Sequence, residues 1–382
     1  MPHDYVIVGG GIYGAGVAWQ LATRGADVLL LEAATIASGA SGGPGKRGVR
    51  ANGRDVRELP LMRLAYDLWP TLADNLGAPT GYERTGQLLL IEEQRNGPRD
   101  GLPSAPARQW LQQQHDIPTQ LLDRAGVLAL EPNVSDAIVG ALYCPLDGVA
   151  DHTATTRALA QAAVRAGATV REHTRVEGLE HADERVSTLI TAQGERIGVN
   201  RTVLLLSNLH VVEFVREALG IALPVWRMVP QVLVTEPVEP LPLSHLIGHD
   251  SRTLSMKPLT GSRVMITGGW RGRWNEQTGR CETIPAQIAG NLAEASAVYP
   301  ALRGIGIAQS DATRSESDCV DDIPIIGQLP GARNLLVGVG WSGHGFAIAP
   351  AVAQLLADWA LTGQQPALLR PFAYDRFVAR EV

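Results

Sequence analysis

Two glycine-rich stretches and one cluster of cations hold the residue types best suited to chemistry in this chain. Gly9-Gly-Gly-Ile-Tyr-Gly14 satisfies G-x-G-x-x-G. In such a turn Gly9 permits the tight reversal and Gly11 lets backbone N–H groups approach a pyrophosphate. Gly14 lets the following helix pack closely on a strand. Glu32 ends the next apolar run, where a carboxylate can bind ribose hydroxyls and would repel a 2′-phosphate. Further on, Lys46, Arg47, Arg50 and Arg54 crowd together. A guanidinium donates two parallel N–H bonds to a carboxylate and stays ionised. The same side chains read equally as a solvated basic loop, or as counter-charge for a pyrophosphate. Near the C-terminus, Gly338-Val-Gly-Trp-Ser-Gly-His-Gly-Phe346 sets His344 between two glycines. Taken alone, this is equally a strand-to-helix turn with no ligand.

These residues need elements to position them. Tyr5-Val-Ile-Val8 is a short apolar run of the kind found in buried parallel strands. Ala15, Val17, Ala18, Leu21 and Ala22 continue it as a helix, and Asp27 to Glu32 reads as a second strand. That β-α-β context is what the glycine motif needs before it signifies an ADP moiety, with the helix N-terminus offering free N–H donors to phosphate. Helices are expected over Glu58–Leu76, His152–Ala166 and Pro285–Tyr299, and strands over Gly86–Glu92, Thr169–Glu172, Val203–Leu206 and Asn334–Gly338. Arg95 to Pro106, rich in proline and glycine, reads as an exposed loop. Pro224–Thr267 is rich in β-formers and proline, as suits a sheet-based domain. The fold class is therefore α/β, with a Rossmann-type dinucleotide-binding domain and an α+β substrate domain on a mixed or antiparallel sheet. The expected division gives 1–80, 145–215 and 310–382 to the first domain, and 81–144 and 216–309 to the second.

Bulk properties exclude several classes. A chain of 382 residues, 45% hydrophobic and 19% charged, suits two globular domains. A net charge of −6 argues against a nucleic-acid partner. Cys144, Cys281 and Cys319 are far apart and odd in number, so neither a disulfide framework nor a metal site is indicated. Glycines and Gln20, Arg24 and Asp27 interrupt the apolar N-terminal stretch, so no membrane span is expected there. A cytoplasmic protein is the expectation.

The N-terminal fingerprint, the Ser38-Gly-Ala-Ser-Gly42 loop and Gly338–Phe346 resemble the D-amino-acid oxidase-like family of flavoenzymes, in its glycine and sarcosine oxidase and amino-acid dehydrogenase branch. The resemblance spans the chain in matching order, and it implies FAD where the glycine motif alone leaves the dinucleotide open. It implies cofactor contacts from Gly9, Gly11, Ile12, Tyr13, Gly14, Glu32, Ala33, Ser38, Ser41, Gly42, Lys46, Arg47, Gly48 and Val176. At the other end it adds Gly340, Gly343, His344, Gly345 and Phe346. Arg47 then falls beside the flavin, and Arg50 is the expected binder of a substrate carboxylate. Arg314, before Asp321-Asp-Ile-Pro-Ile-Ile-Gly327, is a second candidate, with a salt bridge to Asp311 or Asp318 as its ordinary alternative. Arg50, His344 and Arg314 are the candidate catalytic groups. Lys257, Trp270 and Trp274 lie near the expected substrate strands, with core packing as the plainer role for the tryptophans.

The implied activity is oxidation of a small amine or amino acid to an imine, by hydride transfer to flavin N5. Oxygen or another acceptor would take the electrons. Departures from the family pattern qualify this. Arg314 stands at the covalent cysteine's position, so FAD is expected to be non-covalent. Ala347 replaces a family lysine, Met265 falls near the lysine credited with oxygen activation, and Ser207-Asn-Leu-His210 replaces an A-A-G-x-W run. The acceptor, and whether a partner subunit is needed, stay open. So do an electron-transferring subunit with little activity alone and an NAD-linked dehydrogenase.

Overall fold

The computed structural model describes residues 2–43, 45–93 and 101–378. Its first sheet is built outward from β1 (His3–Val8), which pairs in parallel with β2 (Val28–Leu31) on one side and with Arg196–Leu205 on the other. Thr169–Arg171 extends the sheet beyond β2, and Ala332–Val339 extends it beyond Arg196–Leu205, again in parallel. Ile325–Leu329 closes one edge as an antiparallel strand. Helix α1 (Ile12–Ala22) connects β1 to β2.

The apolar run of β1 follows from burial on both faces. Tyr5 and Ile7 pack with α1, His152–Arg165 and Ala349–Thr362. Val6 and Val8 pack with the hairpin Val176–Ala182/Arg185–Thr191 and the helix Leu209–Leu219. A parallel strand covered on both sides has no polar face to alternate with, so its sequence is continuous rather than alternating.

Register aligns the strand ends. Val8 lies opposite Leu31 and Leu205, and Leu205 lies opposite Val337. The glycine turn, Glu32, Leu206 and the turn beginning at Gly340 therefore leave the sheet at one edge. Ligands of open α/β sheets bind at such C-terminal strand ends.

The second sheet also has eight strands, in the order Ile307–Asp311, Val232–Thr235, Arg263–Thr267, Ser255–Leu259, Leu246–His249, Gln87–Glu92, Ile138–Cys144 and Gln120–Asp123. All its pairings are antiparallel except that of Leu246–His249 with Gln87–Glu92, so it is a mixed sheet. The helix Pro285–Val298 covers one face through Ala295 and Val298.

Two local expectations differ from what is observed. Lys46–Val49, within a segment that reads as a glycine-rich loop, is a strand paired antiparallel with Gly148–Asp151. Of the loop expected over Arg95 to Pro106, residues 94–100 lie outside the described residues. Its end starts the helix Ala105–Gln113, with Pro106 in the first turn, where a missing N–H costs no hydrogen bond. Among the described residues, one helical stretch is long and apolar enough to cross a membrane, Gly345–Thr362, and 72% of it is buried inside the fold. It packs against α1 in the first core, as a core helix does.

Candidate functional site

A cavity of about 650 Å³ opens at the aligned strand ends, a volume typical of small-molecule sites. Gly9, Gly11, Ile12, Tyr13, Glu32, Ala33 and Val176 reach it from the first sheet and its connections. Ser41, Gly42, Arg47, Gly48 and Arg50 reach it from the segment around Lys46–Val49. Gly343, His344, Gly345 and Phe346 come from the C-terminal turn. The second sheet contributes Lys257 and, just beyond Arg263–Thr267, Trp270. One cavity therefore joins both glycine-rich ends of the chain.

The N-terminal turn is shaped by what a side chain would strike. Gly9 has φ +114°, and a Cβ there would lie 2.7 Å from the Leu206 carbonyl oxygen. A Cβ on Gly14 would sit 1.8 Å from the Gly9 carbonyl oxygen, so Gly14 supports the turn from behind and does not line the cavity. At Gly11, the N-cap of α1, nothing lies within 4 Å of the Cβ position. That open space in front of a helix N-terminus is the room a phosphate needs to meet backbone N–H groups. Glu32 is fixed next to it, accepting from Gly10 N at 2.7 Å and Ala34 N at 2.8 Å. The turn and its carboxylate fit the pyrophosphate and ribose of a dinucleotide.

The C-terminal turn is tied directly to this helix. Tyr13 donates its hydroxyl to the Gly345 carbonyl. Its ring stacks on Trp341 with centroids 3.6 Å apart and planes 10° from parallel. Beneath His344 lies a pair that the sequence does not announce. Arg54 and Glu58 form an ion pair at 3.1 Å with side chains only 2% and 0% exposed. Arg54 also donates to the His344 carbonyl at 2.7 Å, and His344 Nδ1 lies 3.3 Å from Glu58. Burial pushes the Glu58 carboxyl up, but Arg54, His344 and Arg50 together outweigh it and hold the group below its ordinary range. Arg54 is thus an internal clamp on the turn and not part of a solvated loop.

Arg47, Arg50, Lys257 and His152 line the cavity together with the buried carboxyl of Glu316. Arg47 donates to the carbonyls of Lys46, Gly42 and Gly43. Burial lowers its pKa to about 10, against the pull of Asp151, Asp311 and Glu316. Arg50 donates to the Asn52 carbonyl, and burial followed by the neighbouring Arg54 lowers its pKa. Lys257 is 3% exposed, and burial, then Arg47 and Arg50, lower its pKa to about 7. His152, whose Nδ1 lies 2.9 Å from the Gly45 carbonyl oxygen, is lowered to about 4 by burial and Arg47, and is therefore neutral near pH 7.

Other expected residues sit elsewhere. Ser38 closes its own turn by donating to the Thr35 carbonyl at 2.7 Å. Lys46 pairs with Glu83 at 2.8 Å on the partly exposed surface. Gly340 is buried against Cys319. Arg314 is exposed and donates to the Ser38 carbonyl at 2.9 Å, making neither of the salt bridges considered for it. None of these four, like Gly14, lines the cavity. Trp274 lies under the Arg227 guanidinium, 3.9 Å from it, also outside the lining. Trp270 does line the cavity while its ring packs against Gly290.

A doubly covered parallel sheet with a glycine cradle at its strand ends, facing a mixed sheet across one cleft, defines a dinucleotide-binding protein. The chain belongs to the FAD dependent oxidoreductase family, whose model matches residues 4–359. FAD is therefore the dinucleotide, and the NAD-linked reading falls away. The chain is 27% identical over 99% of its length to the bifunctional protein ThiO/ThiG of Trichormus variabilis, but spans only 55% of that relative. It is 28% identical to one of the subunits of opine oxidase from Rhizobium meliloti, over 92% of this chain and 93% of that one. Its fold matches the crystal structure of glycine oxidase from Geobacillus kaustophilus with a TM-score of 0.84, at 24% identity, covering 99% of this chain and 100% of that one.

Proposed function

We propose that this protein oxidises a small amine or amino acid, of the glycine, sarcosine or D-amino-acid type, to an imine that water hydrolyses. The observation that carries the reading is the single cavity in which the Gly9–Glu32 cradle, the Gly343–Phe346 turn and Arg50 meet. Bound FAD supplies the acceptor for the hydride lost from the substrate α-carbon. Arg50 anchors the substrate carboxylate and so fixes which face of the carbon is presented. The Arg54–Glu58 pair holds His344 and its turn in place, and Tyr13 and Trp341 lock that turn to α1. Arg47, Arg50 and Lys257 in the lining disfavour a protonated substrate amine, which must be neutral to lose hydride. The expected division at 1–80, 145–215 and 310–382 against 81–144 and 216–309 is part of this reading, and the two sheets support it.

A cysteinyl flavin linkage is disfavoured, since among the described residues none of the three cysteines lines the cavity. Unpaired cysteines also favour a cytoplasmic setting. The test is direct. Purified protein should be yellow, and anaerobic addition of amino acids or N-methyl amines should bleach the flavin bands. A broad panel that leaves the spectrum unchanged would remove the amine reading.

A second reading is a flavin-carrying subunit that passes electrons to a partner. It is favoured by the 28% identity with a polypeptide that is itself one part of an opine oxidase and by Met265 where a cationic residue would be expected. Slow reoxidation in air beside fast reoxidation by an artificial acceptor would support it, and rapid turnover with oxygen alone would refute it.

A further inference from the structure

The second-sheet wall of the cavity carries donors that the reading above does not use. Lys257, from Ser255–Leu259, is 3% exposed and lines the cavity, and no carboxylate lies within ion-pair distance of it among the described residues. Its cross-strand neighbour on Arg263–Thr267 is Met265, whose sulfur lies 3.8 Å from Arg47. The charges that act on Lys257 are those of Arg47 and Arg50, both positive. Gln231, 2% exposed, reaches the same cavity. Its Oε1 accepts from Ile284 N at 3.1 Å, which fixes the amide orientation and leaves Nε2 as a buried donor without an acceptor.

Buried donors left unpaired are costly, and a buried ammonium beside two guanidinium groups more so. Such a wall is stable and useful when a ligand brings the missing negative charge. One substrate carboxylate satisfies Arg50 and leaves Lys257 unanswered. We propose that the substrate is an amine bearing two carboxylates, and that Lys257 binds the second, with Gln231 as a further donor in the same wall. This rests on the reading of the cavity as the flavin and amine site. Lys257 is then a specificity-determining residue. It touches the substrate at the end remote from the anchor at Arg50, and it separates dicarboxylic amines from simple amino acids.

The experiment uses the flavin-loaded protein and non-oxidisable probes, acetate and propionate against malonate and succinate. Binding is read by perturbation of the flavin spectrum and by calorimetry at pH 7. The expected result is at least tenfold tighter binding of the better dicarboxylate than of either monocarboxylate. In Lys257→Met that gap should vanish, the dicarboxylate losing far more affinity than acetate, and Lys257→Arg should keep most of it. Equal affinities in the parent protein, or a gap that survives in Lys257→Met, would overturn the proposal. So would a Lys257→Met protein that changes only FAD affinity or reoxidation rate, since the ammonium would then serve the cofactor. If Lys257→Met does not accumulate as folded protein, Lys257→Gln is measured under the same criteria. Failure of the amine reading is seen separately, as a flavin that no amine bleaches. Failure of this proposal is a flavin that glycine or sarcosine bleaches as well as any dicarboxylic amine.

Discussion

Arg50 is the residue on which the proposed substrate recognition turns, and its surroundings explain why. It lines the cavity, its near neighbours include the cation Arg54, and its described hydrogen bond is to a single backbone carbonyl. A guanidinium with spare donors in a poorly solvated wall gains more from a carboxylate than one in water. Arg50→Ala should weaken acetate binding by about 1.5–3 kcal/mol, read by the same spectral titration, with the flavin content unchanged. An unaltered affinity would take Arg50 out of the site. Arg54 differs although it stands four residues away. It too lines the cavity, but it is paired with Glu58, and its removal would leave a buried carboxylate short of its principal counter-ion. Sequence proximity groups these arginines, and only their partners separate them.

Elements hold these residues through contacts between segments distant in sequence, and Asp147 is the clearest case. Fully buried, it accepts from Ala51 N at 2.7 Å, Asn52 N at 3.4 Å and the Tyr66 hydroxyl. It thereby ties the segment after Arg50 to the helix Leu59–Leu76. Burial outweighs these hydrogen bonds and pushes its pKa up to about 6. A carboxyl raised in the folded state binds its proton more tightly there than when unfolded. The resulting stability is fully present below the unfolded value near 4 and is lost as pH rises through about 6. Between pH 4 and 7 the protein should lose roughly 2–3 kcal/mol relative to Asp147→Asn, which does not titrate. Urea unfolding of both proteins across that range checks it, and parallel stability curves would refute it.

The strand β1, its glycine turn and Glu32 were legible because their signal is local: a buried apolar run, a fixed glycine spacing and a terminal carboxylate. The strand Lys46–Val49 was not, since its glycine-rich surroundings mask a pairing made only with Gly148–Asp151. Glu58 beneath His344 and Asp147 beside Ala51 were equally invisible, because nothing near them in sequence marks a partner that the fold supplies. Arg314, outside the cavity lining, shows the converse. Its neighbours in sequence suggested a role, but the turn after Ile307–Asp311 leaves it at the surface against Ser38.

At the scale of the whole molecule, the cavity joins what the chain keeps apart. The first sheet contributes a cradle from the N-terminus and a turn from the C-terminus, and these touch through Tyr13, Trp341 and Gly345. The second sheet closes the other side with Lys257 and Gln231. A cofactor seated there would be held by lining residues from both sheets, and so by the assembled protein and not the unfolded chain. Any such ligand stabilises by mass action, about 2.7 kcal/mol at a free concentration one hundred times its Kd. For a chain of 382 residues unfolding as one unit, that corresponds to a rise in Tm of about 3 °C. Because no cysteine lines the cavity among the described residues, denaturation should release FAD into the filtrate with no flavin left on the polypeptide. Protein stripped this way and refolded should melt lower by at least that margin, and regain it on adding FAD but not on adding NAD. Identical melting with and without FAD would mean that the cavity does not bridge the two sheets through a bound cofactor.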